Sequence, residues 1–203
     1  MNRIVTISRE FGSGGREIGK RLADELGFAY YDREIITEIA KKVGMSEEYI
    51  NHISEKGVTP YAFQFAKSFV MYSNLQSSQT DILVAETKIL KEIAKKGDCV
   101  IVGRGANHIL KDYNPMNLFV YADMKSKIKR CRMKREDEKM TDKELEKEIM
   151  QIDKNRKNYH RIISNLEWGD KNAYHLCINT SGIEIKTMIA PLANYIENWF
   201  RRI

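Results

Sequence analysis

Short apolar runs alternate with helical patterns along the chain. Five runs are apolar at most positions and are bounded by turn residues, which predicts buried strands at residues 4–7, 29–31, 99–102, 118–121 and 175–178. Strands that alternate with helices are typical of a parallel sheet covered by helices. The pattern therefore predicts an α/β fold.

A glycine-rich segment joins the first predicted strand to the first predicted helix. Residues 12–15 are Gly-Ser-Gly-Gly, apolar residues then recur at helical spacing from residue 18 to residue 26, and Gly27 supplies a stop. Such a loop leaves unpaired backbone N–H groups at a helix N-terminus, where the helix dipole also favours an anion. The order of strand, loop and helix predicts a phosphate site, although an ordinary glycine turn is the alternative.

The usual phosphate-loop pattern, G-x-x-x-x-G-K-[ST], fits this segment in two registers. The literal match runs from Gly14 to Gly19 and Lys20, but Arg21 follows where a hydroxyl is required. The apolar residues on either side of Gly19 also place that glycine inside the helix. We therefore reject this register.

In the second register the glycines come directly after the strand. Gly15 takes the place of the second glycine, Arg16 that of the lysine and Glu17 that of the Ser or Thr, while Glu10 stands where the first glycine is expected. This register starts the helix at about Arg16. The predicted geometry is that of a phosphate loop, with unusual side chains.

Two regions of the chain are helical and lack strand patterns. Residues 34–96 read as a helical insertion between the second and third strands, which could cover a substrate. The second region, residues 125–161, is polar and highly charged and contains a concentration of arginines: Arg130, Arg132, Arg135, Arg156 and Arg161.

The composition favours an anionic partner. The chain has 203 residues, 42% of them hydrophobic, and a net charge of +6. The charge is spread among many acids and no nucleic-acid recognition pattern is present, so a nucleic-acid partner is disfavoured. Three cysteines without a CxxC pair, and the lack of a long apolar run, predict a cytoplasmic protein with no membrane partner.

Four segments together resemble the cytidylate kinase-like family. They are residues 5–19 (VTISREFGSGGREIG), 31–36 (YDREII), 100–106 (VIVGRGA) and 178–181 (INTS). The resemblance implies a P-loop nucleoside monophosphate kinase with a five-stranded parallel sheet and helices on both faces. It also implies a single domain over residues 1–203, with a helical monophosphate-binding insertion at about 34–96 and a helical lid at about 125–165.

The resemblance assigns the loop to ATP. ATP phosphates would be bound by Phe11, Gly12, Ser13, Gly14, Gly15, Arg16 and Glu17. Arg16 would stand in for the usual lysine, and Glu17 could ligate the Mg²⁺ that accompanies ATP.

The resemblance assigns a second set of residues to the acceptor. Asp32 and Arg33 would contact the nucleotide, and Arg104 would bind its phosphate. Arg33 and Glu34 replace a small hydroxyl residue and a glycine of the cytidylate kinase pattern, and Gly105 replaces an aspartate. Asp32 could instead cap a helix, and Arg104 could instead be a surface arginine at the end of a strand.

Residues 153–156 resemble the Asp-x-x-Arg segment of the family's lid. Arg130, Arg156 and Arg161 are therefore candidates for closing over the reaction, although a solvated charged helix is the default for any single arginine. The predicted function is ATP-dependent phosphoryl transfer to a nucleoside monophosphate similar to CMP or dCMP. The alternatives are a nucleotide-binding sensor with little turnover and a kinase of another small acceptor, and the oligomeric state is left open.

Overall fold

A computed structural model of the chain describes residues 2–32, 71–134, 140–164 and 166–202, together with residues 41 and 44. The sheet has five strands: β1 (Ile4–Arg9), β2 (Ala29–Tyr31), β3 (Cys99–Val102), β4 (Met116–Tyr121) and β5 (Leu176–Asn179). All neighbouring strands pair in parallel, in the order β2-β3-β1-β4-β5. The predicted α/β fold is confirmed, and β1 lies at the centre of the sheet.

The described ranges contain six α-helices: α1 (Gly15–Leu26), α2 (Met71–Lys96), α3 (Ala106–Ile109), α4 (Met124–Lys134), α5 (Asp142–Ile163) and α6 (Ile185–Phe200). Short 3-10 turns lie at Lys111–Tyr113 and Lys171–Ala173. α2 belongs to the predicted insertion, and α4 and α5 belong to the predicted lid. Most of residues 34–70, and Arg33 and Arg135, lie outside the described residues. None of the helices that the structure describes is long and apolar enough to span a membrane.

Both faces of the sheet are covered by helices. Successive side chains of a strand point to opposite faces. In β1, Ile4 packs in a buried cluster with α2 and α3, whereas Val5 and Ile7 pack in a second cluster with α1 and α6. Because neither face meets water, the central strands are apolar at consecutive positions, which is the pattern that the sequence shows.

Three strands differ from the predicted bounds. β5 is shifted by one residue, to Leu176–Asn179. β4 begins at Met116, two residues early, because the neighbouring strands satisfy the polar side chain and backbone of Asn117. Thr6 Oγ1 donates to Asn117 Oδ1 at 2.6 Å, and the backbone N–H of His175 donates to the Asn117 carbonyl at 2.8 Å. β1 continues to Arg9, which lies opposite Val120 of β4. The sheet thus extends up to the glycine loop.

Candidate functional site

Residues 10–14 form the loop between β1 and α1. Gly12 and Gly14 have φ angles of 73° and 86°, a left-handed conformation that glycine adopts without steric strain. α1 begins at Gly15, and Gly14 at its N-cap supplies no side-chain hydrogen bond to the first turn. The first-turn N–H groups and the positive end of the helix dipole can therefore bind an anion. Gly19 lies within α1, which excludes the literal register.

A buried lysine connects the back of this loop to α4 and α5. Lys127 of α4 places its Nζ 2.7 Å from Glu10 Oε2 and 3.3 Å from Asp153 Oδ2. Asp153 of α5 also accepts a hydrogen bond from the backbone N–H of Phe11 at 2.7 Å. Burial raises the pKa of Asp153, while that N–H and Lys127 act in the opposite direction. Glu10, at the position of the first glycine, thus has its charge balanced by Lys127.

Arg16 and Asp32 form an ion pair. Arg16 Nε lies 2.5 Å from Asp32 Oδ2, and Tyr30 donates its hydroxyl to the same oxygen at 3.4 Å. The Asp32 side chain is 8% exposed, whereas that of Arg16 is 59% exposed. Burial and the negative charge of Asp32 raise the pKa of Tyr30, which keeps its hydroxyl protonated. Arg16, which was predicted to bind ATP, therefore lies beside Asp32, which was predicted to bind the acceptor.

Arg104 follows β3 in a left-handed conformation, with a φ angle of 56° between two glycines. Its side chain is only 9% exposed, so it is largely buried rather than a surface arginine. Arg104 Nε lies 3.7 Å from Glu86 Oε1 of α2, and Tyr159 of α5 donates its hydroxyl to the other Glu86 oxygen. Burial raises the pKa of Glu86, opposed by Arg104 and by the Tyr159 hydroxyl.

The three arginines that were predicted to belong to a lid occupy different places. Arg156 donates to the Arg9 carbonyl at 3.1 Å and lies over the Phe11 ring, beside the loop. Arg130 donates to Thr180 and to the Ile183 carbonyl, and so connects α4 to the segment after β5. Arg161 is exposed near the end of α5 and lines a separate surface cavity. The structure therefore brings Arg130 and Arg156, but not Arg161, to the loop.

Three cavities follow the carboxyl edge of the sheet, where open α/β sheets bind ligands. The first surrounds the glycine loop and is also lined by Arg16, Arg130, Cys131 and Arg156. The second is lined by Ser8, residues 103–105, Tyr159, His160 and Trp168. Arg9 and Arg156 line both of these cavities. A third cavity, beyond Arg130, is lined by Glu17, Lys129, Met133 and residues 182–185.

A family model for the cytidylate kinase-like family matches residues 4–182. The chain belongs to this family. A search of curated proteins found no match. Among solved structures, an uncharacterized protein from Eubacterium ventriosum is 26% identical, with a TM-score of 0.71 and coverage of 96% of this chain and 98% of that chain.

Two kinases share the fold at lower identity. Shikimate kinase from Bacteroides thetaiotaomicron has a TM-score of 0.58 and 15% identity, covering 97% of this chain and 99% of that chain. A gluconokinase from Sinorhizobium meliloti has a TM-score of 0.51 and 12% identity, covering 99% of this chain and 97% of that chain. The fold of this member of the cytidylate kinase-like family is therefore that of the P-loop kinases.

A protein ligand for Mg²⁺ can be sought in α1. Among the described residues there is no group of three or more His, Cys, Asp or Glu side chains that could hold a metal ion. Mg²⁺ that arrives with a nucleotide needs only one or two protein carboxylates. Glu17 lies in the first turn of α1, where its Oε1 accepts a hydrogen bond from Arg21 Nε at 2.9 Å. Its oxygen chemistry suits Mg²⁺, and its second oxygen is not engaged by that bond.

Four residues around the loop or the second cavity were not predicted as site residues from the sequence: Arg9, Glu86, Lys127 and His160. One signal pointed to Arg9, namely its position at the end of the first strand, directly before the glycine loop. Lys127 and Glu86 lie on polar or amphipathic helices whose facing partners come from distant segments. Their burial is therefore a property of the tertiary structure.

Proposed function

We propose that this protein transfers the γ-phosphoryl group of ATP to a nucleoside monophosphate, with CMP and dCMP as the first candidates. The observation that carries the proposal is the pair of adjoining cavities that share Arg9 and Arg156. One cavity surrounds a helix N-terminus suited to the donor phosphates, and the other contains Arg104. A donor and an acceptor bound in these two cavities would meet between the shared arginines.

On the donor side, residues 11–17 would bind the ATP phosphates through backbone N–H groups. The third cavity supports this orientation, because Met133 and Ile183 give it apolar surface and Arg130 joins it to the first cavity. A nucleoside base fits such a partly apolar site. Mg²⁺ bound with ATP, with Glu17 as its protein ligand, would neutralise phosphate charge.

On the acceptor side, Arg104 and Asp32 would contact the monophosphate. Arg104 is held in place by Glu86, so its guanidinium is fixed before the acceptor binds. Phosphoryl transfer needs alignment of the two substrates and neutralisation of charge rather than a protein nucleophile. Lid helices that exclude water would prevent ATP hydrolysis. In this proposal Arg156 and Arg130 close over the reacting groups.

Two observations favour other functions. The buried carboxylate of Glu86 offsets the charge of Arg104, which suits a less charged small acceptor than a phosphate dianion. The pairing of Arg16 with Asp32 takes up the charge at the position of the phosphate-loop lysine, which suits a nucleotide sensor with little turnover. Both of these functions would use the same loop to bind a nucleotide. The first differs from the proposal in the acceptor, and the second differs in the rate of turnover.

A coupled assay of ADP formation tests the proposal. Purified protein with ATP and Mg²⁺ would be given each ribonucleoside and deoxyribonucleoside monophosphate in turn, and then shikimate and gluconate. We expect a monophosphate to raise ADP formation well above the rate without acceptor. If only shikimate or gluconate raises ADP formation, the acceptor is a hydroxyl acid and not a nucleoside monophosphate. A folded protein that binds ATP and is inactive with every acceptor would support the sensor.

A further inference from the structure

Arg9 spans the distance between the two adjoining cavities. It is the last residue of β1, and its side chain crosses the start of α1 before reaching the turn after β3. Two glycines leave room for it along this path. A Cβ atom on Gly15 would lie 2.5 Å from Arg9 Cβ, and a Cβ atom on Gly103 would overlap the Arg9 guanidinium, lying 2.9 Å from Cζ. The lack of a Cβ atom at both positions therefore leaves the space that the Arg9 side chain occupies.

Arg9 differs from Arg16 and Arg104 in where its charge lies. The Arg16 guanidinium is paired with Asp32 at the edge of the sheet, and Arg104 is paired with Glu86 deep in the second cavity. The Arg9 guanidinium lies at Gly103, where β3 ends, while its backbone lies at the phosphate loop. Arg9 lines both cavities, so a group bound between them would lie beside this side chain.

We propose that Arg9 is a catalytic residue that binds the phosphoryl group during its transfer, an inference that rests on the function proposed above. An acceptor oxygen forms a bond to the γ-phosphorus while the bond from phosphorus to the β–γ bridging oxygen breaks, and ADP leaves with that electron pair. Negative charge is spread over the three remaining oxygens of the transferring group. The planar fork of an arginine can donate to two of those oxygens at once.

Three variants test this role. Arg9→Met keeps the length of the side chain without its charge, and Arg9→Lys keeps the charge without the fork. Gly103→Ala leaves Arg9 unchanged and displaces its guanidinium. The matched control is Arg3→Met, at the opposite end of β1, where Arg3 pairs with Asp98 at 2.6 Å. We expect Arg9→Met to lower kcat by about 100- to 1000-fold, the usual effect of removing one transition-state donor.

The pattern across the variants distinguishes catalysis from a structural role. We expect KM for ATP to change by less than about threefold in Arg9→Met, because the lost interaction forms mainly in the transition state. The kcat values of Arg9→Lys and Gly103→Ala should lie between those of the parent protein and of Arg9→Met. A further variant, Arg9→Ala, leaves space for a small cation, so added guanidinium ion should restore part of its activity. Arg3→Met should keep the kcat of the parent protein.

A binding measurement gives a second readout that needs no acceptor. Aluminium fluoride with MgADP mimics the transferring phosphoryl group, so it should raise the affinity of the parent protein for MgADP. In Arg9→Met that increase should disappear while MgADP alone still binds. If Arg9→Met keeps both kcat and the increase, the role of Arg9 is wrong and the proposed function stands. If the parent shows neither acceptor-dependent turnover nor the increase, both proposals are wrong.

Discussion

The buried pair of Arg104 and Glu86 allows a quantitative test of the second cavity. The Glu86 side chain is fully buried, and its Oε1 has Arg104 Nε at 3.7 Å as its counter-charge. Arg104→Met removes that charge and leaves the Glu86 carboxylate in a site that already raises its pKa through burial. We expect the variant to fold with a lower free energy of unfolding at pH 7, and to lose most of that deficit in acid.

The size of the effect follows from the proton that Glu86 can take up. A buried acid with a raised pKa destabilises the folded state above its ordinary pKa, which is 4.5 for glutamate. The loss in free energy of unfolding cannot exceed the free energy of protonating Glu86, because above that limit the folded protein would bind a proton and Glu86 would become neutral. At 1.36 kcal/mol for each pH unit, that limit is about 3.4 kcal/mol at pH 7 and about 0.7 kcal/mol at pH 5.

The assay is urea unfolding of the parent and the variant at pH 5 and pH 7. The deficit of Arg104→Met should be larger at pH 7 than at pH 5, by up to about 2.7 kcal/mol. The control is Arg104→Met made in a Glu86→Gln background and compared with Glu86→Gln alone. Neither protein of that pair has a carboxylate at this position, so the cost of Arg104→Met should be the same at both pH values. A deficit of Arg104→Met that does not depend on pH would show that Glu86 is not charged beside Arg104.

Three other results are expected. Lys127→Met should lower the free energy of unfolding by about 1–3 kcal/mol, because two partly buried carboxylates lose their shared cation, while Lys129→Met on the exposed side of α4 should change it by less than about 0.5 kcal/mol; equal effects in urea unfolding would contradict this role. Arg16→Ala should chiefly lower kcat in the ADP assay, whereas a sensor would lose nucleotide affinity instead. In amide NMR spectra, added MgATP should shift the backbone N–H signals of residues 12–17 most strongly, and unchanged signals there would mean that the loop does not bind phosphate.

Local patterns in the sequence determined the sheet and the glycine loop. A strand buried on both faces must be apolar at consecutive positions, so β1 and β3 were visible as runs of four residues. The loop was visible because a strand, several glycines and an amphipathic helix follow one another without interruption. Both features depend on residues that are close in the chain. The predicted contacts of Arg33 lie outside the described residues and stay a prediction.

The tertiary structure decided how the charged side chains are paired. Arg16 pairs with Asp32, although α1 and β2 separate them along the chain. Arg104 pairs with Glu86 of the preceding helix. Lys127 binds two carboxylates that are far apart in the chain. No periodicity along the chain encodes such pairs, because they depend on strand order and helix packing. A charged residue in an amphipathic helix looks solvent-exposed in the sequence, and only the element that packs against it makes it buried. The arginines were therefore recognisable as candidates from the sequence, whereas their partners and their separate positions depend on how the helices pack on the sheet.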